Sequence, residues 1–171
     1  MTPRAPEPPE PSRSTPPAKP VTPVPIAGVG AFVLRYGAVL LVKRGRPPGV
    51  GLWAIPGGRL EFGESLRAAA EREIFEETQV RIRAGEPIYC FEAFFDRDGR
   101  ELVFPTSPEG WNPAMHFVIV DLAAEYLSGE PQAADDAADA GWFTSGAADE
   151  LQLQPATRRF LNHVGFLKPP H

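Results

Sequence analysis

A loop that breaks every periodicity runs straight into the best helix-forming stretch of the chain, and this junction limits what the rest can become. In LWAIPGGRLEFGES, Pro56, Gly57, Gly58 and Gly63 together force a loop. Ser65 is then placed as an N-cap, and LRAAAEREIFEE, Leu66 to Glu77, has the composition of a good helix. Leu66, Ala70 and Ile74 recur at i, i+4 spacing while Ala68 and Phe75 add a second apolar side, so the helix is expected to wedge between other elements. Strand-like runs stand on both sides of it. GVGAFVLRYGAVLLVKRG reads as two strands about a turn at Arg35-Tyr36-Gly37, and further runs follow at Val80 to Ile82, Ile88 to Phe95 and His116 to Leu122. Near the end, AGWFT reads as a short strand and PATRRFLNHVGF as a closing helix. Strands on both sides of one central helix, mostly hairpin-connected, predict an α/β sandwich with a mixed sheet rather than a doubly wound parallel sheet.

The boundaries of this unit follow from composition. Met1 to Pro25 carries a proline every two or three residues and almost no large apolar side chain, so residues 1–25 are expected to form a disordered or polyproline-II arm. Such an arm serves as a solubilising tail or as a docking site for a proline-binding domain. Residues 26–171 then make one globular domain, which suits a chain of 171 residues with 43% hydrophobic content. A net charge of -5 without a Lys/Arg cluster argues against a nucleic-acid-binding face. No apolar run approaches the ~18 residues of a membrane span, and no signal-peptide core opens the chain, so a soluble cytoplasmic protein is expected. The single cysteine, Cys90, sits in the apolar run IYCFEAFF and is expected to be a buried core thiol.

The helix carries the chemistry. At ~3.6 residues per turn, Glu73, Glu76 and Glu77 converge on one face. Three carboxylates that close raise one another's pKa unless a cation offsets them, and a hard divalent ion such as Mg²⁺ prefers oxygen ligands. The plain alternative is a solvated charged face in which Arg72 pairs with Glu76 at i, i+4. The longer register decides between them: Gly58 stands six residues before Glu64, and Glu64 eight before Arg72-Glu73, in the pattern G-x5-E-x7-R-E-U-x-E-E with Ile74 as the aliphatic U. This resembles the signature of the Nudix hydrolases, and Trp53-Ala54-Ile55-Pro56-Gly57 is similar to the family's lead-in.

The resemblance implies a Nudix-type α/β/α sandwich with a loop-helix-loop metal site, and hydrolysis of a nucleoside diphosphate linked to another group. It implies Mg²⁺ or Mn²⁺ held by Glu73, Glu76 and Glu77 with the backbone carbonyl of Gly57, while Arg72 and Glu64 orient the carboxylates. One position departs from the pattern: Gln79 stands where glycine is usual at the helix exit, which puts that exit geometry in question. The later segment resembles ADP-ribose pyrophosphatase-like members, in which an acid precedes a Trp-Phe strand. Asp136 is the best match and Asp135 and Asp139 are its rivals.

Glu76, Glu77 or Asp136 would act as the general base, with water attacking phosphorus. Lys43, Arg44 and Arg46 are candidates for phosphate contacts against a plain reading as a charged turn, and Phe91, Phe94, Phe95 and Trp111 for stacking on a ring against a plain reading as core aromatics. The long segment between the strands, around Glu101 to Met115, is the expected seat of substrate choice. His116 and His163 are isolated, with no zinc spacing. The leading expectation is a hydrolase of ADP-ribose or a similar nucleotide sugar. The alternatives are a (modified) nucleoside triphosphate pyrophosphohydrolase and a non-catalytic nucleotide-sensing module. The resemblance also implies a homodimer and a small-molecule nucleotide as partner.

Overall fold

The structure is a computed structural model that describes residues 24–104 and 109–167. The expected proline-rich arm, up to residue 23, lies outside the described residues, as do 105–108 of the long segment before Met115.

Strands β1 (Ile26–Arg35) and β2 (Ala38–Arg44) form the antiparallel pair that the sequence predicts, closed by Tyr36 and Gly37, both at positive φ. Short strands β3 (Trp53–Ala54) and β4 (Gly57–Arg59) add to β2 and β1 within the stretch expected to be pure loop. Helix α1 (Leu66–Thr78) follows, with the Ser65 side chain accepting from the Ala68 amide. Then come β5 (Arg81–Phe95), β6 (Glu101–Leu102), β7 (Met115–Ser128) and β8 (Ala137–Thr144), closed by α2 (Ser145–Asp149) and α3 (Pro155–His163).

The strands make one eight-stranded mixed sheet in the order β3-β2-β1-β7-β5-β6, with β4 on β1 and β8 on β2. Its parallel contact is β1 with β7, from Ile26 opposite Phe117 to Leu34 opposite Glu125. Alternation along the strands divides the core into two layers. Val29, Ala31, Val33, Leu40 and Leu122 pack with Ala69, Ala70 and Ile74 of α1, while Val39 and Leu41 pack with Phe160 and Leu161 of α3. These two layers are the α/β/α arrangement expected.

Several local expectations change. α1 is buried on one side rather than wedged: Ala68 is exposed, and Phe75 lies under the Arg81 guanidinium, 4.3 Å from its ring centroid. The two runs at Val80 to Ile82 and Ile88 to Phe95 belong to one long strand, β5, whose register slips on either side of Pro87, where no amide is available for the ladder. β7 runs on past Leu122 to Ser128. Cys90 is exposed, not buried, because alternation turns Phe91, Ala93 and Phe95 to one side of β5 and leaves Cys90 beside Glu92 on the other. No helix among the described residues is long and apolar enough to cross a membrane.

Candidate active site

The geometry starts at the glycine loop. A Cβ on Gly57 would collide with the Val29 carbonyl, and one on Gly58 with the Glu73 carboxylate. Only glycine lets this loop lie flat between β1 and α1. The Gly57 amide donates to Glu77 Oε2 at 2.9 Å, which ties the last turn of α1 to the loop.

Arg72 organises the remaining carboxylates. Its Nε and Nη2 donate to the two oxygens of Glu64 at 3.0 and 2.9 Å, a bidentate pair, and Nη2 also donates to the Arg59 carbonyl at 3.1 Å. Its Nη1 reaches Glu73 Oε1 at 2.8 Å and Glu76 Oε2 at 3.2 Å. The carboxylates hold the guanidinium pKa above its already high value, and Arg72 in turn holds Glu64 below the usual carboxylate range. Burial pushes Glu73 up against the opposing pull of Arg72. Burial is also the main cause that pushes Glu77 up to about 8, with the Gly57 amide opposing and Asp136 and Glu73 adding to the rise.

Asp136 reaches Glu77 because the helix end demands partners. The orphan carbonyls of Glu77 and Thr78 accept the amides of Ala134 and Gln132 at 3.0 and 2.9 Å, and the Asp136 carbonyl accepts the Gly45 amide at 2.8 Å. These bonds lay the 132–136 segment along the C-terminus of α1. Gln79 ends the helix in the left-handed conformation, φ 59°, its amide donating to the Phe75 carbonyl, and its side-chain Nε2 donating to the same oxygen at 3.1 Å. The exit that glycine usually makes is therefore made here by glutamine.

Beside this cluster opens a cavity of about 470 Å³. Gly57, Glu73, Glu77 and Asp136 line it, together with Asp135, Arg44 and Arg46. Arg44 is steadied by donating through Nε to the Pro48 carbonyl at 2.7 Å. Glu76, Glu64 and Arg72 stand outside the lining, with Glu76 nearly half exposed. Asp139 faces Lys43 across the β2–β8 pair instead. Phe91 and Phe95 line the cavity, whereas Phe94 turns to the opposite side of β5, stacked on His116. Trp111 does not line the cavity; it packs edge-on against Phe94 and Phe104, with centroids 5.6 and 5.7 Å away.

Sequence reasoning missed several lining residues. Arg59 adds a third cation, Phe117 and Asp121 come from β7, and Gln154 and Thr157 from the start of α3. The signal for Asp121 was a lone acid inside the apolar run HFVIVDLAA; the others have no local mark.

Among the described residues no three acidic, histidine or cysteine side chains are gathered into a ready coordination cage. The reason lies in the hydrogen bonds above: Arg72 holds Glu73 and Glu76, and Gly57 holds one oxygen of Glu77. The donor chemistry nevertheless fits a hard divalent cation. Oxygen donors alone meet at the rim, and Glu73 and Glu77 are raised by burial and by neighbouring carboxylates, a condition that a cation relieves.

A family model described as NUDIX domain matches residues 24–164. An ADP-ribose pyrophosphatase of Methanocaldococcus jannaschii is 30% identical over 121 residues, 70% of this chain and 62% of its own length. A putative 8-oxo-dGTP diphosphatase 2 of Mycobacterium tuberculosis is 29% identical over 134 residues, 78% of this chain and 83% of its own. Among solved structures, a MutT NUDIX hydrolase from Burkholderia pseudomallei superposes with a TM-score of 0.65 at 29% identity, covering 83% of this chain and 99% of that one. A bifunctional NMN adenylyltransferase/ADP ribose pyrophosphatase from Francisella tularensis, complexed with AMP and a manganese ion, superposes at 0.58 with 23% identity, covering 85% of this chain and 42% of that one.

Proposed function

Because the chain belongs to the NUDIX family and is a Nudix hydrolase, we propose that it cleaves the diphosphate bond of a nucleoside diphosphate linked to another group, by attack of water on phosphorus. ADP-ribose or a similar nucleotide sugar is the leading substrate class. The observation that carries this reading is the meeting of Glu73, Glu77 and Asp136 with Arg44, Arg46 and Arg59 on one cavity. Acidic groups suited to a divalent ion stand next to cations suited to phosphate oxygens.

Glu73, Glu76 and Glu77, with the Gly57 carbonyl, would hold Mg²⁺ or Mn²⁺, which supplies positive charge to the diphosphate and lowers the pKa of bound water. The chain's own residues do the rest. Arg72 fixes Glu64, Glu73 and Glu76 in orientation by its five hydrogen bonds, four of them to these carboxylates. The Gly57 amide holds Glu77 at the rim. Glu77 and Asp136 line the cavity and Glu76 does not, which favours one of that pair as the base that takes the proton of the attacking water. Arg44, Arg46 and Arg59 bind the phosphates.

A nucleoside triphosphate is the second reading, favoured by the 29% identity to a relative named for 8-oxo-dGTP across 83% of that relative's length. The intact Glu73-Glu76-Glu77 set speaks against a sensor without activity. Chromatographic analysis of the products from ADP-ribose, nucleotide sugars, dinucleotides and normal or oxidised nucleoside triphosphates, with Mg²⁺ or EDTA, tests the proposal. Metal-dependent release of a nucleoside monophosphate from ADP-ribose or a nucleotide sugar is expected. Pyrophosphate release from a triphosphate alone would select the second reading, and no metal-dependent cleavage of any would defeat both.

A further inference from the structure

The cavity floor carries an acid for which the diphosphate chemistry has no use. Asp121 of β7 is only 4% exposed and lines the cavity. Register sets it opposite Gly30 of β1 and Tyr89 of β5. A Cβ on Gly30 would collide with Asp121 Oδ1, so the glycine makes the space in which the carboxyl lies. Among the described residues no donor or cation meets that carboxyl; burial alone acts on it, raising its pKa to about 7.

A buried polar group without a partner costs roughly 1–3 kcal/mol, and native interiors keep few of them. At the edge of a cavity, such a group is available to a ligand that enters. The surroundings limit what that is. From Asp121 the same side of the sheet continues as Ile119, Phe117 and Met115 of β7, paired with Phe91, Ala93 and Phe95 of β5. This is an apolar wall with aromatic edges, suited to the face of a flat ring. Arg44, Arg46 and Arg59 lie elsewhere on the cavity lining, where phosphates are bound in the reading above.

We propose that Asp121 is a specificity-determining residue that accepts a hydrogen bond from the exocyclic amino group of a nucleobase seated against the Phe91–Phe117 wall. The inference rests on the reading that this cavity takes a nucleotide. An amino group is matched in either protonation state, since an ionised and a neutral carboxyl both keep an accepting oxygen. A ring carbonyl at the same place is matched only by the neutral form. The proposal therefore favours adenine, guanine or cytosine over rings lacking the amino group.

The test uses ligands that differ by that group alone. Titrations of the whole chain in EDTA compare AMP with purine riboside monophosphate, and GMP with IMP, for wild type, Asp121→Asn and Asp121→Leu. Wild type is expected to favour the amino-bearing member of at least one pair by about tenfold or more. Asp121→Asn keeps an accepting oxygen and should keep most of that preference. Asp121→Leu should reduce it to within about twofold, by weakening the amino-bearing ligand alone. If Asp121→Leu fails to fold, Gly30→Ala, which displaces the carboxyl, is expected to erase the preference in the same way.

A wild-type ratio within twofold in both pairs, a preference that survives Asp121→Leu, or no binding of any monophosphate would overturn the assignment. The readout does not involve turnover. Loss of amino preference in a protein that hydrolyses nothing in the panel would retain Asp121 and discard the proposed reaction. Turnover without amino preference would do the reverse.

Discussion

The rim of the cavity and its floor are built by different means. The rim is local: Gly57, Gly58, Glu64, Arg72, Glu73 and Glu77 lie within 21 residues of one another in sequence, and one loop and one helix fix their spacing. The floor is assembled from afar. Gly30, Asp121 and Thr157 come from β1, β7 and α3 and meet only because β1 pairs in parallel with β7 and α3 closes over the sheet. The rim is densely hydrogen-bonded and charged, while the floor is largely apolar, with Thr157 accepting the Ile55 amide and, among the described residues, no donor on Asp121. On the proposed function this is a division of labour: chemistry would reside in the part that local sequence dictates, and selection in the part that topology dictates.

The largest effect should come from the rim. Glu77→Gln keeps the size of the side chain and removes its charge, and hydrolysis is expected to fall on the order of 10²–10³-fold, the scale of losing one electrostatic group at a reacting centre. Steady-state rates with Mg²⁺ check this. A variant that retained full activity would break the assignment of chemistry to α1.

Arg72→Ala should cost somewhat less activity but some stability as well. It frees Glu64, Glu73 and Glu76 at once, and Glu73 is left mostly buried without its cation. A loss of about 1–3 kcal/mol in urea unfolding is expected. A change in activity with no change in stability would mean that the cluster is held together by other means.

The floor should respond to pH as well, beside the raised Glu77 of the rim. Asp121 has a folded pKa of about 7 against an ordinary value of 3.8, so across that window the folded state keeps a proton that the unfolded state gives up. The contribution of this group to stability should therefore decline as pH rises from about 4 to about 7, by up to roughly 4 kcal/mol, and then level off. In Asp121→Asn that part of the slope should vanish. Chemical denaturation of both proteins in EDTA over this range measures the difference, and identical slopes would show that Asp121 titrates normally.

The smallest effect belongs to the helix exit. Gln79→Gly removes the strain of a left-handed non-glycine residue but loses the bond from Nε2 to the Phe75 carbonyl. A net gain below about 1 kcal/mol is expected in thermal unfolding, and activity should not change. A large fall in activity would tie the exit to the rim more closely than its hydrogen bonds suggest.

The same division explains what could be read from the sequence. Ser65 as N-cap and the reach of α1 are consequences of short-range geometry, and the meeting of Arg72 with Glu64 and Glu73 is what the resemblance implies. Asp136, singled out by the resemblance through its distance from Trp142, lines the cavity beside Glu77. The failures are non-local. AAEYLS reads poorly as strand because alanine and glutamate have low strand preference, yet pairing with β1 and β5 carries β7 through it. The runs at Val80 to Ile82 and Ile88 to Phe95 read as separate, yet one strand joins them and its ladder slips around Pro87. Trp111 has the chemistry of a stacking residue, but its ring is held by Phe94 and Phe104 on the far side of β5. Asp121 and Thr157 stand 36 residues apart in sequence and nothing local says that they share a cavity.

The central claim, that the carboxylates of α1 hold a divalent ion, is tested most directly by titrating Mn²⁺ into the metal-free protein and reading free ion by electron paramagnetic resonance. The account expects saturable binding to wild type that is weakened at least about tenfold in Glu73→Gln and in Glu77→Gln. Equal binding by wild type and both variants would contradict it.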